Sequence, residues 1–192
     1  YCAGISQFYG ITNGWAHIGF SIVICGFAGL LIGYLTLRTS GIYFIMITLA
    51  FAQMLFFLFV SLEAYGGDDG MSIDRADFGF IDLYDPLRLY FLIWCALALV
   101  SSVLMFIVRS RFGVTLRAIK SNESRVEAMG LSPLRFKMVG YLISAVICGI
   151  AGSLFANWQE YVSPDIMLWT RSGELMTVSY THLRAHETAY HR

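Results

Sequence analysis

Four long apolar runs dominate the pattern of hydrophobic and polar positions along this chain. They cover about residues 16–35, 41–62, 89–108 and 138–156, and none of them contains an Asp, Glu, Lys or Arg. A bilayer core of roughly 30 Å needs about 20 helical residues, whereas a soluble helix of this length carries a polar stripe at 3.6-residue spacing. The pattern therefore predicts four membrane-spanning helices and an all-α, polytopic transmembrane bundle.

The polar segments between the runs differ in the sign of their charge. Residues 109–137 hold seven Lys or Arg against Glu123 and Glu127, whereas residues 63–85 hold seven Asp or Glu and a single base, Arg75. Short loops rich in Lys and Arg stay on the cytoplasmic side of a membrane. We therefore expect residues 109–137 to form a cytoplasmic loop and residues 63–85 to lie on the opposite side.

The overall composition agrees with a membrane protein and carries little chemistry. Apolar residues make up 57 % of the chain and charged residues 14 %, with a mean hydropathy of +0.65, a balance that excludes an ordinary soluble domain. The four cysteines are scattered, and no phosphate-binding G-x-x-x-x-G-K-[ST] sequence occurs. We expect no catalytic site, no metal, no cofactor and no nucleic-acid partner.

The basic loop carries the signals of a short capped helix. Ser121 or Asn122 is expected to cap its start, the S-x-x-E pattern of a capping box follows, and Gly130 is expected to close it in a left-handed conformation. Pro133 then occupies the first turn of the last span. Because a simple chain reversal needs only about two to eight residues, the loop is predicted to be a docking element with a helix at about 122–129.

Small and polar residues within the spans predict how the helices pack. Small residues four apart let helix backbones approach closely. Thr48 and Gln53 are the notable polar groups of the second span, where they form hydrogen bonds between helices or line a substrate path. The small residues lie on the first and fourth spans at Gly26, Gly29, Gly33, Ala145, Gly149 and Gly152.

The two ends of the chain look unlike the ends of an intact protein. Residues 1–14 have neither an initiator Met nor a signal peptide, so we expect the chain to begin inside a larger protein. Residues 178–188 read VSYTHLRAHET, the translation of a transposase adapter used to prepare sequencing libraries. We therefore expect residues 178–192 to be a read-through artefact and the native chain to continue into a further apolar span.

Four sequence blocks follow one another in order along the chain. They are LRTSGIYFIMITLAFAQ at 37–53, GGDDGM at 66–71, RFGVTLRAIKSNE at 111–123 with EAMGLSP at 127–133, and YVSPD at 161–165. Together they resemble the LivM-type permease subunit of branched-chain amino acid ABC importers, over about residues 16–176. The general importer pattern E-A-A-x-x-x-G is shortened here to EAMG at 127–130.

The resemblance implies that residues 1–177 are part of a transmembrane permease domain in a bacterial inner membrane. Its partners would be ATP-binding subunits, a second permease subunit, an external substrate-binding protein and membrane lipid. The loop would be the coupling helix through which ATPase closure rocks the spans. The implied coupling residues are Arg117, Ala118, Glu123, Glu127, Ala128 and Gly130, and the implied external motif is Gly66, Gly67, Asp69 and Gly70.

Several functions stay open at this point. An importer of branched-chain or other hydrophobic amino acids is the first expectation, and urea or a short amide is an alternative cargo. A membrane scaffold that binds a cytoplasmic partner through the same loop, but transports nothing, is a different class. A membrane-embedded enzyme is disfavoured because the spans lack reactive groups.

Overall fold

The computed structural model describes residues 1–76 and 85–189, with the backbone alone for Pro86 and residues 182–189. Within these residues the chain is almost entirely helical, which confirms the predicted all-α class. The helices are α1 (Cys2–Phe8), α2 (Gly14–Thr36), α3 (Ile42–Val60), α4 (Pro86–Arg109), α5 (Arg111–Ser121), α6 (Glu123–Ala128), α7 (Pro133–Gln159) and α8 (Trp169–Ala189), with short 3-10 turns at Glu63–Tyr65 and Pro164–Met167 and two strands, β1 (Met71–Ser72) and β2 (Tyr161–Val162).

Four of the described helices are long and apolar enough to cross a membrane, namely Gly14–Thr36, Ile42–Val60, Leu87–Arg109 and Pro133–Gln159. The last of them begins five residues earlier than the predicted span at 138–156, because Pro133 starts the helix in its first turn. Its 27 residues give a length of about 40 Å at roughly 1.5 Å per residue. α7 therefore extends beyond the bilayer core, and its first turns belong to the polar segment at 109–137.

The bundle is held together mainly by an antiparallel contact between α2 and α7. A Cβ placed on Gly29 would lie 2.7 Å from the Cβ of Ala145, and one on Gly33 would lie 2.8 Å from the ring of Tyr141. Close packing of helices at small residues was predicted, and the structure shows that α2 and α7 are the two helices that approach each other through them. Gly152, by contrast, has no neighbour within 4 Å of such a Cβ and takes no part in the contact.

The antiparallel contact sorts the loops onto the two ends of the bundle. Because Gly33 packs beside Tyr141 and Met138 near the start of α7, the turn that carries Arg38 lies at the same end as the basic segment between α4 and α7. The acidic residues Asp68 and Asp69 lie at the other end, near β1. Part of the predicted acidic segment, residues 77–84, lies outside the described residues.

Apolar side chains cover the outer surface of the spans. α3 contains no buried residue, and large apolar side chains on α4 such as Phe91, Leu97 and Phe106 are more than half exposed. Such extended apolar patches on a protein surface mark contact with a membrane or another protein. α8 runs continuously through position 178; it is as long as the four spans but not apolar enough to be counted with them.

Candidate functional site

The loop that joins α4 to α7, residues 110–132, is the candidate site, and we call it the basic loop. It begins with a one-residue corner at Ser110, which ends α4 and starts α5. A Cβ at Gly113 would lie only 2.3 Å from the carbonyl oxygen of Val108, so the corner requires glycine there. Arg117 donates from Nη2 to that same oxygen at 3.1 Å and satisfies a carbonyl at the end of α4.

α6 is capped at both ends by main-chain and side-chain bonds. Of the two predicted caps, Asn122 is the one used, and its Oδ1 accepts from the amide of Arg125 at 3.1 Å. At the other end Gly130 has φ +83°. Its amide donates to the carbonyl of Glu127 at 2.9 Å, and the amide of Leu131 donates to that of Val126 at 3.3 Å, the two bonds of a Schellman motif.

The capping box suggested by the S-x-x-E pattern at 124–127 does not form. Ser124 lies inside α6, and its hydroxyl donates to Oδ1 of Asn122 at 2.8 Å. Asn122 therefore carries out the capping, because its side-chain oxygen reaches the first free amides of the helix.

The basic loop is anchored on the first turns of α7. Nζ of Lys137 lies 2.6 Å from Oε1 of Glu123, and the rings of Phe112 and Phe136 stack with centroids 5.7 Å apart. A Cβ placed on Gly140 would lie 3.6 Å from Cδ1 of Leu116, so this side chain packs beside α7. These contacts join the start of α5, the start of α6 and α7 into one unit.

The predicted coupling residues divide into two groups. Arg117 and Glu123 bond within the molecule, to the end of α4 and to Lys137. The other four have no such bond assigned to them and are exposed, as Arg117 and Glu123 also are, namely Ala118 on α5 and Glu127, Ala128 and Gly130 at the end of α6.

Met129 was not predicted as a site residue, although 73 % of it is exposed at the tip of the loop. It lies between Ala128 and Gly130, and Leu131, two positions further on, is also exposed. Exposed apolar residues at the end of a capped helix are a signal that the sequence does contain. Together with Glu127, Met129 makes the tip a small apolar surface beside a carboxylate.

The two motifs predicted to lie at the opposite end meet each other in the structure. β1 and β2 pair antiparallel, with Met71 opposite Val162 and Ser72 opposite Tyr161. The hydroxyl of Tyr161 also donates to the carbonyl of Asp69. We call the two paired strands, together with residues 73–76 that follow β1, the ribbon.

Glycines shape the turn that leads into the ribbon. Gly66, Gly67 and Gly70 have φ of +92°, +50° and +76°, a region that favours glycine. A Cβ at Gly70 would lie 2.5 Å from the carbonyl oxygen of Val162. The predicted external motif is therefore a tight turn that lets β1 approach β2.

The proposed substrate-path residues lie apart from both regions, on α3. The hydroxyl of Thr48 donates to the carbonyls of Phe44 and Ile45 on its own helix, at 3.0 and 2.9 Å. Gln53 is half-buried. Positions five residues apart on a helix are separated by about 140° around its axis, so Thr48 and Gln53 do not share one face.

No metal-binding cluster occurs among the side chains that the structure describes, those of residues 1–76, 85 and 87–181, where no group of three or more His, Cys, Asp or Glu could hold an ion. His17 is fully buried, and its Nε2 lies 2.6 Å from the carbonyl oxygen of Ile11. This contact ties the chain before α2 to the helix, which agrees with a packing role for that histidine.

The fold and the basic loop define a polytopic helical membrane protein with a structured, helical loop between two of its spans. The family model described as "Branched-chain amino acid transport system / permease component" matches residues 1–179, so the chain belongs to that family. The predicted family and the expectation of a transporter component rather than an enzyme are thereby confirmed.

Individual relatives share moderate identity with the chain. It is 29 % identical to the "High-affinity branched-chain amino acid transport system permease protein LivM" of Salmonella typhimurium and 30 % identical to the protein of the same name in Escherichia coli, over 91 % of this chain and 47 % of each relative. A "Nucleoside ABC transporter permease protein NupC" of Lactococcus lactis is 31 % identical over 41 % of this chain and 24 % of that protein.

The chain spans about half the length of the two LivM relatives. No solved structure gives a significant match to it.

Proposed function

We propose that this chain is the membrane-spanning part of an ABC importer that translocates branched-chain or other hydrophobic amino acids. Separate ATPase subunits would supply the energy, a second permease subunit would complete the path, and an external binding protein would deliver the substrate. The proposed location is a bacterial inner membrane, with the basic loop in the cytoplasm. The distribution of Lys and Arg supports this orientation.

The observation that carries the proposal is the construction of the basic loop. A connection that only reverses the chain has no need of a capped helix, a Schellman end and an ion pair to α7. These features hold Glu127, Ala128 and Met129 exposed in a fixed conformation. A partner that closes and opens can move the spans only through such a stiff contact, because flexible links absorb the motion. We propose Glu127, Ala128, Met129 and Gly130 as the ATPase contact.

The role proposed for two other residues changes with their contacts. Arg117 and Glu123 stiffen the loop from within, through the end of α4 and through Lys137. We propose that their main role is to transmit force to the spans. Ala118 remains on the exposed side of α5 as a second contact.

The amino acid cargo rests on the family and on the printed names of the two LivM relatives. The nucleoside permease of Lactococcus lactis makes nucleosides the cargo to compare first. Uptake of labelled leucine, urea and uridine in parallel would separate the three chemical classes.

Copurification from the membrane tests the class of protein. We expect an ATP-hydrolysing subunit to remain bound to the tagged full-length parent, and to be lost when Met129 and Glu127 are both replaced by Arg. The matched control is Arg135→Gln with Lys120→Gln, two exposed positions of the same polar segment outside the tip; neither substitution introduces an acidic residue. A parent that binds a cytoplasmic protein without ATPase activity would favour the scaffold alternative.

We also propose that residues 178–192 do not belong to the native protein, because their sequence matches a translated library adapter. Genomic DNA from the source locus is expected to encode a different sequence after position 177. If the DNA instead encodes VSYTHLRAH in frame at that position, the segment is native and the proposal is wrong.

A further inference from the structure

α7 carries the basic loop at its beginning and the ribbon at its end. The helix is continuous from Pro133 to Gln159 and about 40 Å long. At its first turns it is bonded to α5 and α6 by the Lys137–Glu123 pair and the Phe112–Phe136 stack. One rigid element therefore connects the two ends of the bundle.

Glu160 joins the far end of α7 to the ribbon. It ends the helix in a left-handed conformation with φ +56°, a costly conformation for a residue other than glycine. Its carbonyl accepts from the amide of Ile73 at 2.9 Å, and its Oε1 lies 2.5 Å from Nε of Arg75. The main chain and the side chain of one residue thus both hold the ribbon.

Asn157 makes a second, buried connection one turn earlier. Only 2 % of it is exposed. Its Oδ1 accepts from the amide of Ala76 at 2.9 Å, and its Nδ2 donates to the carbonyl of Ser153 at 2.8 Å. A buried amide with both ends satisfied fixes the position of its partner, since losing either bond leaves a polar group unpaired.

The ribbon in turn contacts the other spans. Ala76 packs with Leu89 of α4 in a buried cluster, and Ile73 packs with Ala3 of α1 and Ala156 of α7. A displacement of α7 along or about its axis would therefore reach α1 and α4 through the ribbon.

We infer that α7 and the ribbon move as one body during transport, and that Asn157 is the positioning residue that joins them. This inference rests on the proposed function. The pairing of β1 and β2 would then be a fixed joint. The bending needed for alternating access would occur at other connections. Packed elements with two arrangements transmit such motions, whereas a joint that opened would uncouple the start of α4 from the end of α7.

A reversible crosslink tests whether the ribbon stays closed. Ser72 and Tyr161 are opposite each other, next to the bonded pair Ile73 and Glu160. Their Cα atoms are therefore expected at about 4.5 Å, within the range of about 4.4 to 6.8 Å that a disulfide spans. The double variant Ser72→Cys, Tyr161→Cys would be made in the full-length parent, assembled with its ATPase, second permease and binding protein in vesicles.

We expect ATP-driven leucine uptake by the oxidised double variant to stay within about twofold of the reduced state, because the crosslink joins parts that already move together. The two single-cysteine variants, treated in the same way, control for oxidation of native cysteines. Uptake that disappears on oxidation and returns on reduction would show that the ribbon opens, and would overturn the inference. Absence of uptake by the unsubstituted parent would contradict the proposed function instead.

Asn157→Ala tests the positioning role through a ratio that simple loss of stability does not change. We expect the leucine transported per ATP hydrolysed to fall roughly 2- to 30-fold, the range for loss of about 0.5 to 2 kcal/mol of coupling, while the ATPase rate per assembled complex persists. Ser153→Ala is the matched control, because its buried hydroxyl donates only to Ile150 within α7. An unchanged ratio in Asn157→Ala would remove Asn157 from the connection.

Discussion

Leucine uptake is expected to be lost in the double variant Glu127→Lys, Gly130→Val of the full-length parent, while ATP hydrolysis continues. Gly130 has φ +83°, where a β-branched residue costs about 1 to 2 kcal/mol. Valine would therefore break the two Schellman bonds that hold Leu131 and Gly130 to α6. Lysine reverses the charge of the exposed carboxylate beside Met129. Uptake and ATPase activity would be measured in the same vesicles. We expect the uptake rate to fall and the ATPase rate to persist.

The matched control substitutes the same two positions with residues that avoid the charge reversal and the backbone strain. Glu127→Gln, Gly130→Asn removes the charge without reversing it, and asparagine tolerates the left-handed conformation. We expect it to retain most uptake. Both variants lie outside the spans, so equal amounts are expected in the membrane. Normal uptake by the Lys and Val variant at that level would exclude the basic loop from the mechanism.

The class and the spans of this protein follow from its sequence because a bilayer imposes one strong rule. A lipid-facing segment must satisfy its backbone internally, and so about 20 uncharged apolar residues in a row predict a helix whatever its neighbours. α6 was predictable for a different reason. Its signals at Asn122 and Gly130 are local, and capping depends on residues within one turn.

α5 was missed as a separate helix although a signal for it exists. Phe112, Leu116 and Ile119 recur at intervals of four and three residues, the spacing of one helix face. In the structure this face packs towards α7, with Phe112 on Phe136 and Ile119 buried. Charged residues lie between these positions, so the helical period of the apolar residues is less evident than the basic charge of the segment.

The ribbon is beyond prediction from a single sequence. Met71 and Val162 are about ninety positions apart, and each strand contributes two residues, so no local period marks the pairing. The roles of Asn157 and Glu160 depend on that pairing. The inward and outward sides of α7 also need the structure, because Gly149 and Gly152 look alike in the sequence.

Gly149→Val is expected to disrupt the contact between α2 and α7. A Cβ at Gly149 would lie 2.9 Å from both Cβ and Sγ of Cys25 and 3.3 Å from the carbonyl of Ser21. The hydroxyl of Ser21 donates to the carbonyl of Gly149 at 2.9 Å, so separation of the helices would also weaken a buried hydrogen bond. Overpacking costs about 1 to 3 kcal/mol. We expect less folded protein in the membrane and a lower Tm.

The overpacking cost at Gly149 sets the expected fall in Tm. At about 2 to 4 °C per kcal/mol for a domain of this size, the cost corresponds to a fall in Tm of roughly 2 to 12 °C in detergent. Gly152→Val adds the same β-branched residue to the same helix three positions later. There, no atom apart from the helix's own nearby backbone lies within 4 Å of the added Cβ. Its Tm is expected to match the parent. Equal melting of the two variants would mean that α2 and α7 do not pack through Gly149.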